Sequence, residues 1–356
     1  MNVLTVVGNR PQFIKAAAVS APLRRSHHEL LIHTGQHFDE QLSGVFFDEF
    51  GLPAPDRQLG IAGGSNSSQT ARMLGALEPV VREAPPDVVL IYGDTNSTLA
   101  GALAGSQAGL PVAHVEAGMR SFDRAMPEEL NRVLADHASA LLLCSSDVAV
   151  ENLRREGIEA AARLVGDVMI DVAIRVQPTA RGRLDLVRAH GLTPGEYVLV
   201  TAHRPGNVDA PDRLAQLVEL LLAVPYQVVV PLHPRTRARL RTAGLLERVE
   251  RSERLVVTAP LGYLELTTLL CNAHAVMTDS GGLQKEAYLA GIPCVTLRST
   301  TEWTETVQLG WNALVDLDVA AAVAALEREP PAERPPLYGD GHAAERVVDA
   351  LTLHFG

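Results

Sequence analysis

The sequence HVEAGMRSFDRAMPEELNR, residues His114–Arg132, joins the end of an apolar run to an apparent loop and then to the start of a helix. Glu116 directly follows the apolar run Val112–Val115, and Glu128 stands where the helix opens after Met126-Pro127. A strand followed by a helix, repeated along a chain, is the pattern of a parallel sheet with helices on both faces. The stretch therefore predicts the α/β fold class.

The same alternation continues in both directions. In the first half the predicted strands are Val3–Val7, Leu30–His33, Val88–Tyr92, Val112–Val115 and Leu141–Cys144. In the second half they are Val198–Ala202, Gln227–Val230, Leu255–Thr258, Ala275–Thr278 and Cys294–Leu297. Two doubly wound, Rossmann-type domains with a cleft between them describe a GT-B-like architecture. Ligands of open α/β sheets bind beyond the carboxyl ends of the strands, so the residues after each strand are the candidate site.

Domain boundaries follow from the same pattern. We expect an N-terminal domain over residues 1–170, a C-terminal domain over 171–338, and residues 339–356 as a last helix packing back on the first domain. The segment Gln177-Pro178-Thr179 breaks the pattern near the changeover, and the last helix should span Gly341–Phe355. Two further helices are predicted over Asp39–Phe50, ended by Gly51, and over Ser68–Glu83, with Ser67 or Ser68 as N-cap.

Composition limits the classes of function. A chain of 356 residues is long for one hydrophobic core, and 47% apolar with 21% charged residues excludes a mainly disordered protein. The net charge of −11 argues against nucleic-acid binding. Cys144, Cys271 and Cys294 are scattered and apolar-flanked, which is typical of core thiols in a reducing compartment. No apolar run approaches the roughly 18 residues of a membrane span. We expect a cytoplasmic protein without nucleic-acid or membrane partners.

Charged residues follow the strands of the first half. Arg10 and Lys15 lie on either side of a helix start and are either a pair of cations for phosphate or ordinary solvated side chains. His37 follows the second strand, where a lone histidine is more often structural than catalytic. Asp94 either caps the next helix or faces a ligand.

The two acidic positions of the opening stretch differ in their interpretation. Glu116 stands at a strand end among small residues, has little obvious structural use, and is therefore interpreted as functional. Acids at a helix start are favoured by the helix dipole. That explanation is sufficient for one of Glu128 and Glu129 but not necessarily for both.

In the second half, His203-Arg204 follows a strand and is a plausible general acid or phosphate partner. His233 follows the next strand in the same way. Ser280-Gly281-Gly282 opens a helix whose free backbone N–H groups can bind a diphosphate, and the glycines let it come close. Glu286 either accepts hydrogen bonds from ribose hydroxyls or is a helix-surface acid.

Other chemistries lack their motifs. The first strand is followed by GNRPQFIK rather than GxGxxG, which disfavours NAD as a freely exchanging cosubstrate. HExxH, CxxC and GxSxG are absent from the sequence. We therefore expect neither a cofactor nor a bound metal.

The chain resembles the non-hydrolysing UDP-N-acetylglucosamine 2-epimerases over nearly its whole length. The matching blocks are GNRPQFIK, TGQHFDEQL, YGDTNSTLAG, HVEAGMRS with PEELNR, TAHR, DSGGLQKEA and TTEWTE. The resemblance implies a GT-B-like homodimer that binds a UDP-sugar and inverts C2 without NAD or metal. The reaction it implies removes the C2 proton and expels UDP, giving an enzyme-bound 2-acetamidoglucal to which UDP is added back.

The resemblance also implies roles for individual residues. The acid/base carboxylates would be Asp94, Glu116 and Glu128, and the histidine near the diphosphate would be His203. The contacts to the nucleotide and its phosphates would be Arg10, Lys15, His37, Arg204, Leu261 and Leu266 (both at the uracil), Ser280, Gly281, Gly282 and Glu286 (at the ribose). Residues compatible with an adjacent regulatory substrate pocket are Gln36, Arg72, Arg204 and His233, although Asp39 stands where another polar contact is expected.

Three departures from the family pattern bear on the sugar. Gly206 replaces a glutamate, Trp303 replaces a nucleotide-side arginine, and Lys285 stands within LQKEA in place of a glutamate. These blocks resemble a subgroup that includes UDP-2,3-diacetamido-2,3-dideoxyglucuronate 2-epimerases. Lys285 or Arg298 would tolerate the carboxylate of such a substrate.

Two other classes of function share parts of this pattern. A GT-B glycosyltransferase has the same fold and nucleotide cradle but needs only one acceptor-activating base. A non-catalytic nucleotide-sugar sensor would have no need of Asp94, Glu116 and Glu128 together. The set of carboxylates therefore favours an epimerase.

Overall fold

The computed structural model describes residues 1–36, 52–83 and 85–356, with the backbone but not the side chain of Arg10. The chain divides into two compact units. Unit 1 contains Met1–Val172 and Tyr338–Gly356, and unit 2 contains Ala173–Leu337. His37, and the helix predicted over Asp39–Phe50, lie outside the described residues.

Unit 1 is built on a parallel sheet whose central strands are continuous Val, Leu and Ile runs, as expected for strands covered by helices on both faces. Its strands are β1 Asn2–Val7, β2 His28–His33, β3 Arg57–Gln58, β4 Val88–Tyr92, β5 Val112–Ala117, β6 Leu141–Cys144 and β7 Ala162–Leu164. They pair in the order β3-β2-β1-β4-β5-β6-β7, all parallel. The strand order reverses between β1 and β4, which is where open α/β sheets bind ligands.

The helices of unit 1 connect these strands. They are α1 Arg10–Leu23, α2 Asn66–Glu83, α3 Asn96–Gln107, α4 Pro127–Ala138 and α5 Asp147–Arg155, and a 3-10 turn covers Glu159–Ala161. Helix α1 begins where the Asn9 side chain accepts a hydrogen bond from the Gln12 amide (3.2 Å), with Pro11 in the first turn. The next helix, α6 Val168–Gly182, contains the boundary between the units.

Unit 2 repeats the arrangement. Its strands are β8 Tyr197–Thr201, β9 Gln227–Pro231, β10 Leu255–Thr258, β11 Ala275–Thr278, β12 Cys294–Thr296 and β13 Asn312–Leu314. They pair in the order β10-β9-β8-β11-β12-β13, again all parallel. The order reverses between β8 and β11. Two buried apolar clusters contain alternate residues of β8, Val198 and Val200 in one and Tyr197 and Leu199 in the other, so the sheet is covered on both faces.

The helices of unit 2 are α7 Leu184–Ala189, α8 Pro205–Val208, α9 Pro211–Ala223, α10 Pro234–Thr242, α11 Leu246–Glu250, α12 Tyr263–Cys271, α13 Gly281–Ala290, α14 Thr304–Gln308 and α15 Val319–Leu326. The chain then returns to unit 1 as α16, Ala343–Phe355. Asp171 accepts hydrogen bonds from the first amides of α16, those of Ala343 (3.1 Å) and Ala344 (2.6 Å). No helix among the described residues is long and apolar enough to span a bilayer.

The ten predicted strands are confirmed, with ends that differ by at most two residues. Three short strands, β3, β7 and β13, were not predicted. The helix predicted from Ser68 begins at Asn66, because the Ser65 hydroxyl, not that of Ser67 or Ser68, accepts a hydrogen bond from the Ser68 amide (3.3 Å).

Two other predictions about helices were wrong. Gln177-Pro178-Thr179 does not interrupt the chain, since Pro178 lies inside α6. The last helix begins at Ala343 rather than Gly341, because the backbone of Gly341 has φ +88°, outside the range of a right-handed helix.

Candidate active site

In unit 1 the candidate residues collect at the carboxyl ends of three adjacent strands, β1, β4 and β5. Lys15 lies on α1, which follows β1; Asp94 follows β4; and Glu116 is the penultimate residue of β5. Gln12 ties two of these ends together. It accepts a hydrogen bond from the Gly8 amide (2.7 Å) and donates one to the carbonyl of Tyr92 (2.7 Å).

Lys15 and Glu116 form an ion pair. The lysine is buried, with 7% of its surface exposed. Burial acts to lower the pKa of Lys15, but the charge and hydrogen bond of Glu116, with the charges of Asp94 and Asp167, outweigh it and raise that pKa. Lys15 is therefore not an ordinary solvated lysine. Asp167, which the sequence analysis did not single out, belongs to the carboxylates around it.

Glu116 has an unusual backbone. The pairing register of β5 with β6 shifts between Val115 and Ala117, so Glu116 is the extra residue of a bulge. Its φ of +71° lies in the left-handed region. Such a conformation costs a non-glycine residue about 1–3 kcal/mol and is found mostly at functional sites. Gly93 makes room for its side chain, since a Cβ at Gly93 would lie 3.4 Å from both Glu116 Oε2 and Lys15 Nζ.

Asp94 does not cap the following helix. Thr95 does so, through a reciprocal hydrogen-bond pair with Thr98. The Asp94 carboxylate instead forms an ion pair with Arg132 on α4, and the Asp94 carbonyl accepts a hydrogen bond from Asn131 Nδ2 (3.1 Å). Asp94 is therefore held from α4 by two consecutive side chains of the PEELNR block.

The two acids at the start of α4 have different environments. Glu129 is buried and accepts hydrogen bonds from the amides of Ser121 (2.8 Å) and Phe122 (3.0 Å), which orders the loop before the helix. Burial acts to raise the pKa of Glu129, but these hydrogen bonds and the charge of Arg132 outweigh it and lower that pKa. Glu128 is exposed at the same helix start. Glu129 thus has the structural use, and Glu128 remains the candidate for chemistry.

The residues proposed for a regulatory pocket in unit 1 make internal hydrogen bonds. Gln36 Oε1 accepts from the amide (3.0 Å) and the hydroxyl (2.6 Å) of Ser97. Arg72 donates to the carbonyls of Ala62 (3.1 Å) and Gly63. Gln36 thus joins the turn after β2 to the start of α3, and Arg72 joins α2 to the loop before it, while a regulatory role stays a prediction.

In unit 2 the site is organised around Asp279, a fully buried carboxylate that directly follows β11. It accepts hydrogen bonds from the amides of His203 (3.1 Å) and Arg204 (3.0 Å) and from Asn207 Nδ2 (3.1 Å). Its Oδ1 also lies 3.5 Å from His203 Nδ1. Asp279 therefore fixes the turn after β8 that carries His203. Asp279 opens the DSGG block, but no role was predicted for it from the sequence.

His203 and His233 are neighbours, although they follow different strands. Their ring centroids are 5.9 Å apart. Partial burial, then repulsion from His203 and Arg235, lowers the pKa of His233. His233 Nδ1 accepts a hydrogen bond from the Arg235 amide (3.2 Å), so His233 is also the N-cap of α10.

Helix α13 begins immediately after Ser280, whose side chain makes no capping hydrogen bond within the described part of the chain. The first N–H groups of a helix have no partner inside the helix and favour an anion. A Cβ at Gly281 would lie 3.4 Å from Trp303 Nε1 and 3.9 Å from an Arg204 nitrogen, so glycine keeps this approach open. The predicted helix start at Ser280-Gly281-Gly282 is confirmed, while its role as a diphosphate cradle stays a prediction.

Two of the departures from the family pattern contact each other. The Lys285 ammonium lies 4.3 Å from the centre of the Trp303 ring, a cation–π contact. Beside them, Arg298 forms a bidentate ion pair with Glu302, with N···O distances of 2.9 and 3.0 Å. Two cationic side chains thus lie near the start of α13.

The residues predicted to contact the base and ribose are partly absorbed into the core. Leu261 is buried and Leu266 partly buried in the apolar cluster that α12 shares with β8. Glu286 lies near Tyr263, where burial and then the charge of Glu286 raise the pKa of the tyrosine well above its usual value. Their roles in nucleotide binding stay predictions.

Comparison with known proteins identifies the family. Residues 22–352 match the family model described as UDP-N-acetylglucosamine 2-epimerase. A UDP-N-acetylglucosamine 2-epimerase homolog of Methanococcus maripaludis is 43% identical over 99% of both chains. The UDP-2,3-diacetamido-2,3-dideoxy-D-glucuronate 2-epimerase of Pseudomonas aeruginosa is 45% identical over 99% of both chains.

A solved structure gives the same result. The UDP-GlcNAc 2-epimerase of Methanocaldococcus jannaschii, in complex with UDP-GlcNAc and UDP, matches with a TM-score of 0.90 and 37% identity, over 99% of this chain and 100% of that one. The likeness confirms the predicted α/β, GT-B-like fold class of two Rossmann-type units. The protein belongs to the UDP-N-acetylglucosamine 2-epimerase family.

Proposed function

We propose that the protein is a non-hydrolysing isomerase that interconverts UDP-N-acetylglucosamine and UDP-N-acetylmannosamine, a precursor of cell-surface polysaccharides. The proposal rests on two ion pairs, Lys15–Glu116 and Arg132–Asp94, in a member of this family. Both are buried or half-buried, and both lie at the carboxyl ends of adjacent strands. The solved relative bound to UDP-GlcNAc and UDP supports the substrate.

The proposed reaction is an elimination followed by an addition. A carboxylate takes the C2 proton, the bond from C1 to the UDP oxygen breaks, and 2-acetamidoglucal and UDP form. UDP then adds back to C1 while a carboxylic acid returns a proton to the opposite face of C2. Asp94, Glu116 and Glu128 are the proposed acid/base groups. The strained conformation of Glu116 supports its place among them, because strain of this kind is maintained where it serves a function.

Unit 2 is proposed to bind UDP. The N-terminus of α13 would accept the diphosphate, Arg204 would add charge beside Gly281, and Glu286 would hold the ribose. Nδ1 of His203 faces Asp279 at 3.5 Å, and the other ring nitrogen would be the one that donates to the β-phosphate as negative charge builds there. No added cofactor takes part in this scheme.

A second substrate is favoured by a specific observation. Lys285 places a cation beside Trp303 in a chain that is 45% identical to a 2-epimerase of UDP-2,3-diacetamido-2,3-dideoxyglucuronate. A uronate carries a carboxylate that N-acetylglucosamine lacks, and a lysine is a suitable partner for it. We therefore keep this sugar as the alternative substrate of the same chemistry.

We also propose a cytoplasmic homodimer. The three cysteines of the sequence are buried free thiols, as in a reducing compartment. On unit 1, Leu130 and Leu134 lie one turn apart on α4 and are 46% and 43% exposed, and Phe122, bound to Glu129 at the start of α4, is 71% exposed. We propose that a second copy covers these side chains, since apolar surface of this kind favours association.

The first prediction concerns the reaction. With UDP-N-acetylglucosamine in D2O, and without added NAD or metal, the protein should form the manno epimer and place deuterium at C2, because the proton is exchanged in the glycal step. NMR follows both changes. The diacetamido-uronic sugar is the parallel substrate, and faster turnover of it would assign the alternative. Turnover that retains protium at C2 would contradict elimination, and transfer of the sugar to an added acceptor would indicate a glycosyltransferase.

The second prediction concerns Glu116. Glu116→Gln keeps the shape of the side chain but cannot carry a proton, so turnover should fall by about 10²-fold or more, the scale of a lost acid/base group. UDP affinity, measured by calorimetry, should be unchanged. Glu151→Gln, at an exposed carboxylate paired with Arg154 and Arg155, is the matched control and should retain activity. A parallel loss of UDP binding would make Glu116 a nucleotide-binding or structural residue.

The third prediction concerns His203. His203→Asn keeps one donor but loses the positive charge, and it should cost about 2–4 kcal/mol of transition-state stabilisation, the range for one electrostatic donor. Glycal and UDP supplied together should be converted back as slowly, because re-addition passes through the same charged state. His190→Asn, at a histidine 2.9 Å from Glu265, is the control. Normal re-addition by His203→Asn would leave His203 with a folding role only.

The fourth prediction concerns assembly. Light scattering should give twice the mass of the chain, and the double substitution Leu130→Glu, Leu134→Glu should give the mass of one chain, since two charges cannot be buried in an apolar interface. Leu353→Glu, at a leucine that is 88% exposed on α16, should leave the mass unchanged. A dimer that survives the double substitution would place the interface elsewhere.

A further inference from the structure

His114 and Asp136 form a buried pair directly behind the carboxylates of unit 1. Both side chains are at most 1% exposed. His114 lies on β5 two residues before Glu116, and Asp136 lies near the end of α4. Their closest atoms, His114 Nδ1 and Asp136 Oδ1, are 2.7 Å apart. Nothing in the proposed proton transfers uses either residue.

The histidine connects the Glu116 strand to the Asp94 turn. His114 Nε2 lies 2.6 Å from the carbonyl oxygen of Gly93, which can only accept, so Nε2 donates this hydrogen bond. On its other side, the Gly93 amide donates to the carbonyl of Val115 (3.0 Å). Gly93, the residue immediately before Asp94, is therefore hydrogen-bonded to β5 through both its amide and its carbonyl.

The aspartate binds both sides of the bulge. Asp136 Oδ1 contacts His114, and Asp136 Oδ2 accepts hydrogen bonds from the Gly118 amide (3.0 Å) and from Arg120 Nη1 (2.7 Å). His114 precedes Glu116 by two residues and Gly118 follows it by two. One carboxylate thus spans the residue whose φ is +71°.

The charges around Asp136 keep it in the accepting form. Burial acts to raise the pKa of Asp136, but the hydrogen bonds and charges of His114 and Arg120 outweigh it and lower that pKa. Arg120 is held in turn by a bidentate ion pair with Glu156, with N···O distances of 2.7 and 2.8 Å. We call Asp136, His114 and Arg120 the clamp; through Glu156 it extends to the C-cap of α5, and none of its three side chains is exposed.

We infer that Asp136, acting through His114 and the Gly118 amide, is a positioning residue that holds Glu116 and the Gly93–Asp94 turn in place for proton transfer. The inference rests on the proposed function, because it assigns geometry to the carboxylates that the function uses. Strained residues keep their conformation only where the surrounding structure determines it. Here the bulge is determined on both sides by a single carboxylate.

The test compares two buried carboxylates of unit 1. Asp136→Asn and, separately, His114→Gln should lower kcat about 10- to 100-fold, as expected when reacting groups are displaced by a fraction of an ångström to an ångström. KM and UDP affinity should be unchanged. Glu29→Gln is the matched control. Glu29 is 3% exposed and accepts hydrogen bonds from Thr5 Oγ1 and Arg24 Nε, both 2.7 Å, at the amino-terminal half of β2. It should lower the melting temperature without lowering kcat.

A double substitution separates positioning from general destabilisation. Because Asp136 is inferred to hold Glu116 as well as the Asp94 turn, Asp136→Asn should cost clearly less kcat in a Glu116→Gln background than in the wild type, since residues that act as a unit are not additive. An equal loss in both backgrounds, or an equal loss of kcat in Glu29→Gln, would overturn the inference. If Asp136→Asn does not fold, the kcat of His114→Gln alone tests the inference. A wild-type protein inactive on both UDP-sugars would overturn the proposed function; an active wild type with fully active clamp variants would overturn only this inference.

Discussion

A parallel sheet in which the strand order reverses imposes the main constraint on this molecule. On either side of the reversal the connections leave toward opposite faces, and the strand ends between them stay uncovered. In unit 1 the reversal lies between β1 and β4, and in unit 2 between β8 and β11. Lys15 and Asp94 follow the first pair of strands, and His203 and Asp279 follow the second. The positions of the two reversals therefore determine which side chains can reach a ligand, whatever the chemistry of those side chains.

Charge pairing is what allows so many carboxylates at these strand ends. Strain at Glu116 costs about 1–3 kcal/mol, whereas removing one partner of a buried ion pair costs about 3–5 kcal/mol. Relaxing the bulge would leave the buried Lys15 charge without its partner, which costs more than the strain, so the ion pair acts together with the Asp136 hydrogen bonds to keep the bulge in place. Arg132 pairs with Asp94 and also approaches Glu129 to 3.3 Å, which couples the Asp94 turn to the loop that Glu129 orders.

The sequence analysis succeeded where one local signal was sufficient. Val88–Tyr92 and Leu141–Cys144 were predicted to the residue because each is a continuous apolar run, and Ala275–Thr278 because an apolar run ends there at Thr278-Asp279. It missed β3 because two residues, Arg57–Gln58, cannot show any periodicity. It could not separate Glu128 from Glu129, since both favour a helix start and only the three-dimensional position of the Ser121 and Phe122 amides distinguishes them.

Other contacts could not be predicted from the sequence because they join distant parts of the chain. Arg132 is 38 residues from Asp94, and Asp279 is 76 residues from His203. A spacing of that size carries no signal in a single sequence. Lys285 and Trp303 are the informative case. Each departs from the family pattern on its own, and in the structure the Lys285 ammonium lies 4.3 Å from the centre of the Trp303 ring. Only the folded structure shows that these two departures form one contact, because a separation of that length along the chain cannot indicate it.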